Sequence, residues 1–148
     1  ADADRMVAGG GSYGGYLTAI VLGRPHPFKA LVAHAAVYNW FTQSAADYAF
    51  EPRRFGDFWQ QPEVFQKGSP HFGAANFATP TLVIHGQKDF RVPFNHGIEL
   101  YQTLVNKGVP TRLVYFPDEN HWVLKPQNSV FWYSEVRRWL DQYNPPAS

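Results

Sequence analysis

The sequence of 148 residues contains no cysteine, and this absence excludes several kinds of chemistry. Without thiols the chain cannot form disulfides, bind a metal through thiolates or use a cysteine nucleophile. The absence does not fix a cellular compartment, because a cysteine-free chain suits oxidising and reducing environments equally. We expect no metal and no cofactor.

Excess charge of one sign and long apolar runs are also lacking. The formal net charge is +1, and charged residues make up only 17% of the chain. Proteins that bind nucleic acids usually show a basic stripe, and none is present here. No uninterrupted apolar run approaches the roughly 20 residues of a membrane span. We therefore expect neither a nucleic-acid partner nor a membrane segment.

Apolar and aromatic residues are abundant, at 45% and 17% of the chain, which is enough for the core of one domain. Apolar runs predict strands at residues 6–8, 30–33, 81–85 and 112–116. Helical spacing predicts a first helix from Tyr13, a second around residues 98–105 and a last one over 132–143. This alternation predicts an α/β fold, a mostly parallel sheet flanked by helices.

Two further expectations concern packing. The spacing of Tyr16, Leu17, Ile20 and Val21 predicts that they form the buried face of the first helix. Residues 37–77 are rich in aromatic side chains but lack regular spacing, so we interpret them as an excursion from the sheet. Such segments often carry specificity, although most of the aromatic residues are expected to be core.

The segment Gly10-Gly11-Ser12-Tyr13-Gly14 has the pattern G-x-S-x-G and lies between a predicted strand and a predicted helix. That context is typical of a nucleophile elbow. The turn would expose the Ser12 hydroxyl and place the Tyr13 N–H at the positive end of the helix. Ser12 is thus a candidate nucleophile and Tyr13 a candidate oxyanion-hole donor, although the motif alone also fits a flexible glycine-rich turn.

Two more residues follow predicted strands and complete a pattern. Asp89 comes after the third strand and His121 after the fourth, and in open α/β sheets ligands bind at these carboxyl ends. A serine hydroxyl needs a base, which His121 supplies, and a carboxylate such as Asp89 fixes the imidazole tautomer. The order Ser, Asp, His is that of α/β-hydrolases, and it predicts a catalytic triad.

Other acidic and histidine residues are weaker candidates. Asp118 and Glu119 are nearer to His121 in sequence, but near neighbours on a turn rarely reach Nδ1 of the same ring, so we interpret them as surface charges. The remaining histidines divide into two groups: His34 and His85 fit satisfied core positions, and His26, His71 and His96 fall in loops or at helix starts.

Three segments together resemble the C-terminal catalytic domain of the prolyl oligopeptidase family of serine peptidases. They are GGSYGGY at 10–16, HGQKDFRVP at 85–93 and ENHW at 119–122. The closing run at 120–133 is most similar to the dipeptidyl-peptidase V and acylaminoacyl-peptidase branch. The resemblance implies cleavage near the N-terminus of short peptides, after a small or apolar side chain.

The resemblance also implies substrate-binding residues. It suggests that Val37, Trp40 and Tyr48 line the specificity pocket. Arg91 stands where a related branch has an asparagine that helps to hold the substrate. We include Arg91 among the candidate substrate-binding residues, although anchoring by arginine differs from anchoring by an amide.

The chain starts without methionine and the elbow lies close to its first residue, so we expect residues 1–148 to be the C-terminal part of an α/β-hydrolase domain. The missing N-terminal part would supply the preceding strands, and the resemblance implies that it also holds a β-propeller and a second oxyanion donor. We expect the isolated fragment to be inactive. The resemblance further implies homo-oligomers, and it favours a periplasmic or secreted location while leaving a cytoplasmic one open.

Two alternative functions remain open at this stage. One is an esterase or lipase, because the same triad acts on esters and amides. The other is a non-catalytic assembly module that contributes to an oligomer.

Overall fold

The computed structural model describes residues 2–145, which fold around a parallel sheet of four strands. The strands lie in the order β1-β2-β3-β4. Their bounds are Val7–Gly11, Ala30–His34, Thr81–Gly86 and Thr111–Phe116. All three strand pairs are parallel, with Gly9 opposite Val32, Val32 opposite Leu82, and Leu82 opposite Arg112. The four strands predicted from the apolar runs are confirmed.

Six α-helices connect or follow these strands within the described residues. They are α1 Tyr13–Leu22, α2 Trp40–Gln43, α3 Phe50–Phe55, α4 Pro62–Gly68, α5 Asn95–Asn106 and α6 Pro126–Tyr143. Short 3₁₀ helices lie at Ala3–Arg5 and Pro70–Asn76. The predicted excursion is confirmed, because α2 to α4 and the second 3₁₀ helix all fall in the crossover from β2 to β3.

The core lies on both faces of the sheet, because successive strand residues point in opposite directions. Leu31 and Val83 contribute to a cluster with Leu22 of α1 and Leu100 of α5. Leu82 and Ile84 contribute to a second cluster, on the other face, with Trp139 of α6. Burial of the sheet on both faces explains why the central strands read as continuous apolar runs.

The predicted buried face of α1 is wrong. Leu17 is 48% exposed, and the buried residues are Gly15, Thr18, Ala19 and Leu22. The physical reason is a close approach between α1 and β2: a Cβ on Gly15 would lie 2.7 Å from the carbonyl oxygen of His34. The small residues Gly15, Thr18 and Ala19 therefore form the buried face together with Leu22, and Leu17 lies outside it.

The helix between β3 and β4 shows a similar shift. Leu104 is buried, but Ile98 and Val105, which belong to the same apolar spacing along α5, are 43% and 42% exposed. The remaining buried positions of α5 are His96, Gly97 and Leu100. His96 is buried because its ring accepts backbone hydrogen bonds at Nδ1 from Tyr38 and Asn39, a contact that apolar spacing cannot reveal.

No helix in the part of the chain that the structure describes combines the length and the apolar character needed to cross a membrane. Among residues 2–145, no cluster of three or more histidine, aspartate and glutamate side chains is arranged to hold a metal ion.

Candidate active site

Ser12 occupies the turn between β1 and α1 in a strained backbone conformation. Its φ is 57° and its ψ is −118°, a combination that a non-glycine residue rarely adopts. The turn is held by two backbone bonds: Ser12 N–H donates to His34 O over 3.0 Å, and Tyr16 N–H donates to Ser12 O over 2.9 Å. Tyr13 follows as the first residue of α1. The strand, turn and helix context expected of an elbow is present.

Gly10 makes this turn possible. A Cβ on Gly10 would lie 2.5 Å from the carbonyl carbon of Gly14, so a larger residue would push α1 away from β1. Gly11 is different, because a Cβ there would meet only His34 atoms at 3.8 Å or more. The turn therefore requires glycine at position 10, whereas position 11 has room for a larger residue.

Asp89 and His121, predicted from separate strand ends, are brought together by a hydrogen bond. Nδ1 of His121 lies 2.8 Å from Oδ2 of Asp89. The Asp89 side chain is fully buried, whereas that of His121 is 12% exposed and so faces a cavity. The other Asp89 oxygen accepts from the N–H groups of Arg91 and Val92, at 3.0 and 2.9 Å.

The surroundings of Asp89 keep it ionised. Burial alone would raise the pKa of this carboxyl, but hydrogen bonds from His121, His85 and the Val92 N–H outweigh burial and hold the pKa well below its usual value. A carboxylate that stays charged can hold the His121 tautomer with hydrogen on Nδ1. Nε2 of His121 is then available to accept a proton.

His85 supports Asp89 from behind, at the end of β3. Its Nε2 lies 2.8 Å from Val92 O and 3.5 Å from Asp89 Oδ2. Because both neighbours are acceptors, Nε2 carries a hydrogen. The prediction that His85 is a core residue is confirmed by its 1% exposure, but the ring is not fully satisfied, because its Nδ1 has no hydrogen-bond partner among the described residues.

The interpretation of Glu119 as a surface charge is wrong. This residue is only 3% exposed. Its carboxylate accepts from the N–H groups of Leu124 and Lys125, at 3.2 and 2.9 Å, and from the Asn128 side-chain amide at 2.8 Å. Glu119 thereby ties the loop that carries His121 to the start of α6.

The pKa of Glu119 reflects these contacts. Burial alone would raise its pKa, but the Asn128 amide and the two backbone N–H groups lower it below the usual value. Asp118 fits the surface interpretation better, because its side chain is 39% exposed and pairs with Lys125. Pro126 is the first residue of α6, and Glu119 binds the two backbone N–H groups directly before it, those of Leu124 and Lys125.

The loops that carry Asp89 and His121 also contact each other through their backbones. Lys88 N–H donates to Glu119 O over 2.9 Å. Gly86 permits this contact, since a Cβ on it would lie 2.7 Å from Glu119 O. The Asp89 and His121 loops consequently form one packed unit at the carboxyl end of the sheet.

Ser12 and His121 line one cavity of about 500 Å³. Two of the predicted substrate-binding residues, Tyr48 and Arg91, lie in its wall. The full set of lining residues is Ser12, Asp47, Tyr48, Lys88, Phe90, Arg91, Asn120, His121 and Trp122. Phe90 and Trp122 are 72% and 64% exposed, so the cavity offers apolar surface beside its polar groups.

Val37 and Trp40, the other two predicted substrate-binding residues, are not in that wall. Each is 7% exposed and belongs to an apolar cluster with Phe65 and Val92. Trp40 also packs near Tyr16 of α1, with ring centroids 5.9 Å apart. Their part in substrate binding remains a prediction.

Two other histidines lie near the site, His34 partly buried and His96 fully buried. Burial, with smaller contributions from the neighbouring His85 and His121, lowers the pKa of His34 to about 4. Burial, with His85 nearby, lowers the pKa of His96 to about 3. His34 was expected to be satisfied, but its Nε2 has no hydrogen-bond partner within residues 2–145.

Comparison with known proteins identifies the family. Residues 1–145 match the prolyl oligopeptidase family, Peptidase_S9. The chain belongs to this family. The resemblance predicted from the three sequence segments is confirmed.

The chain is similar in sequence to dipeptidyl peptidases from two organisms. It is 40% identical to dipeptidyl-peptidase 5 of Schizosaccharomyces pombe and 39% identical to dipeptidyl-peptidase 5 of Aspergillus fumigatus, with 97% of the chain aligned. The chain spans only about a fifth of these relatives, 22% and 21% of their lengths.

Solved structures confirm the fold. The acylaminoacyl peptidase of Pyrococcus horikoshii superposes with a TM-score of 0.92 at 27% identity, covering 100% of this chain and 25% of that one. An acylaminoacyl peptidase in complex with Z-Gly-Gly-Phe-chloromethyl ketone gives a TM-score of 0.91, also at 27% identity and covering 100% of this chain and 25% of its own. The predicted α/β-hydrolase fold, a parallel sheet flanked by helices, is therefore established for this chain.

Proposed function

We propose that this chain is the catalytic part of a serine peptidase, with Ser12 as nucleophile, His121 as general base and Asp89 as the group that orients His121. The observation that carries the proposal is the hydrogen bond between His121 Nδ1 and the buried Asp89 carboxylate. The His121 ring and Ser12 line the same cavity. The strained elbow at Ser12 and membership of the family support it.

Each group has a defined task in this reaction. The Ser12 hydroxyl oxygen attacks the carbonyl carbon of the scissile bond, and its proton passes to Nε2 of His121. The ionised Asp89 stabilises the imidazolium that forms. The Tyr13 N–H, at the start of α1, donates to the developing oxyanion. His121 then returns the proton to the leaving amine, and water releases the acyl group by the same path.

The substrates we propose are short peptides, cleaved near the N-terminus to release dipeptides or acylated residues. The names of the relatives, dipeptidyl-peptidase 5 and acylaminoacyl peptidase, support this class. We further propose that the whole protein is longer than this chain. Its N-terminal part would contain the β-propeller and the second oxyanion donor, so that the chain alone is inactive, and the whole protein would form homo-oligomers.

The decisive experiment compares the whole protein with its Ser12→Ala variant on a dipeptidyl chromogenic substrate. We expect kcat to fall by about 10⁴-fold or more, because a triad without its nucleophile retains only residual catalysis. Ser134→Ala, an exposed serine on α6, is the matched control and should keep full activity. Activity that survives Ser12→Ala would reject the proposed nucleophile.

Two measurements separate the alternatives. A peptidase hydrolyses the amide substrate, whereas turnover of matched esters alone would favour an esterase. A fluorophosphonate probe that modifies Ser12 requires an activated hydroxyl, so the absence of labelling in the whole protein would favour an assembly module.

A further inference from the structure

Gln43, the last residue of α2, joins two distant residues of the cavity wall. Its side-chain amide nitrogen donates to Tyr48 O over 3.0 Å and to Arg91 O over 2.8 Å. Gln43 is 3% exposed and does not itself line the cavity, while Tyr48 and Arg91 do. We name this arrangement of one amide and two carbonyls the Gln43 bridge.

The chemistry of the bridge requires an amide donor. Both partners are carbonyl oxygens, which only accept, so the nitrogen of Gln43 must face them and its two hydrogens are both used. Its oxygen is buried and has no hydrogen-bond partner among the described residues. Burying an unpaired acceptor is unfavourable, and an apolar side chain of the same length would avoid it. The two hydrogen bonds to the Tyr48 and Arg91 carbonyls therefore explain why an amide side chain occupies this buried position.

Other contacts between the same two segments are exposed to water. Arg91 Nε lies 2.9 Å from Asp47 Oδ1, with side chains 50% and 49% exposed. The Arg91 guanidinium also lies over the Tyr48 ring, with Cζ 5.1 Å from the centroid. Exposed ion pairs are screened by solvent and contribute little. The buried Gln43 bridge, together with the bond from Asp47 N–H to Phe90 O, is what fixes this side of the cavity.

We propose that Gln43 is a positioning residue for substrate binding: it holds Tyr48 and Arg91 in the wall of the cavity that Ser12 also lines. This inference rests on the proposed function. The bridge ends at the Arg91 carbonyl, whereas Asp89 is held by the Arg91 and Val92 N–H groups and by His121. Loss of the bridge therefore loosens the wall while Asp89 keeps its own hydrogen bonds.

The test is Gln43→Met in the whole protein, because methionine has a similar length and no donor. On a dipeptidyl chromogenic substrate we expect KM to rise about tenfold with kcat changed less than about threefold, the pattern of lost binding rather than lost chemistry. Gln102→Met, an exposed position on α5, is the matched control and should leave both constants unchanged.

A small sulfonyl or phosphonyl fluoride, which reacts with Ser12 without reaching the wall, should label Gln43→Met at the wild-type rate. A lower labelling rate, a fall in kcat at constant KM, or an unchanged KM would each overturn the proposal. If wild-type protein itself is neither labelled at Ser12 nor active on peptides, the proposed function fails instead.

Should Gln43→Met prove unfolded by circular dichroism, Gln43→Asn provides the second variant. It keeps the amide hydrogens but is one methylene shorter, so it reaches at most one of the two carbonyls. We expect a smaller rise in KM, about threefold. A wild-type KM for a folded Gln43→Asn protein would also overturn the proposal.

Discussion

The loop that carries Ser12 and the loop that carries His121 are built in opposite ways. Ser12 is positioned by its own backbone, through a left-handed φ and the close approach of Gly10 to Gly14. His121 is positioned by side chains from elsewhere, Asp89 at Nδ1 and Glu119 at the loop that leads into α6. The first arrangement is set mainly by one short motif, with a single hydrogen bond to the His34 carbonyl on β2, whereas the second depends on side chains that are distant in sequence.

Substitution of Asp89, which binds the His121 ring, should cause the largest loss of activity. In Asp89→Asn the amide can donate to Nδ1 and so favour the wrong tautomer, and we expect kcat to fall by about 10⁴-fold. Steady-state kinetics of the whole protein on a dipeptidyl substrate measure this. Asp141→Asn, an exposed residue of α6, is the control. An Asp89→Asn variant within tenfold of wild type would show that His121 is held in another way.

Adding a single methyl group at Gly10, in the Ser12 loop, should lower activity. In Gly10→Ala the new Cβ meets the Gly14 backbone, so the turn must open and displace the Ser12 hydroxyl. A displacement of about 1 Å can lower the rate about 100-fold, and that is the expected loss in kcat. Gly11→Ala has room for its Cβ and should stay near wild type. Equal activity in the two variants would contradict a positioning role for the backbone of this turn.

A smaller effect is expected from Glu119, which acts on His121 only through the loop. Glu119→Gln keeps the size of the side chain but replaces one acceptor oxygen with a donor, and we expect kcat to fall about tenfold. Asp118→Asn, the exposed neighbour, should change kcat less than twofold because exposed pairs contribute little. If both variants behave alike, the loop does not depend on the buried carboxylate.

The stability difference between wild type and Glu119→Gln should also depend on pH. Glu119 has a lowered pKa in the folded protein, so its stabilisation is present above the unfolded-state value of about 4.3 and is lost as the pH falls through the folded value. Wild type should therefore lose its stability advantage over Glu119→Gln as the solution is made more acidic than about pH 4. Denaturant unfolding at several pH values measures this difference, and a constant difference would contradict the assignment.

Much of the fold could be predicted from the sequence because the signals are local. The four strands are apolar runs, and the elbow and the strand ends that hold Asp89 and His121 follow from short patterns. The buried face of α1 could not be predicted, because it depends on the distance between Gly15 and the His34 carbonyl. The burial of Glu119 could not be predicted either, because it also depends on contacts made in the folded chain. One of its three donors is the Asn128 side chain, and no periodicity in the sequence relates Glu119 to Asn128.

The crossover between β2 and β3 has a consequence for how the protein folds. It spans residues 35–80, and parallel strands on either side of it cannot pair until this long segment has closed. Contacts between residues far apart in sequence are slow to form, because the loop entropy is lost before the contacts stabilise the chain. The bond from Gln43 to Arg91 and the meeting of Ser12 and His121 in one cavity both join residues that this closure brings together, whereas the Asp89–His121 pair lies wholly after it. We therefore expect the cavity to be completed late in folding, so that the appearance of labelling at Ser12 during refolding would report the last step rather than the first.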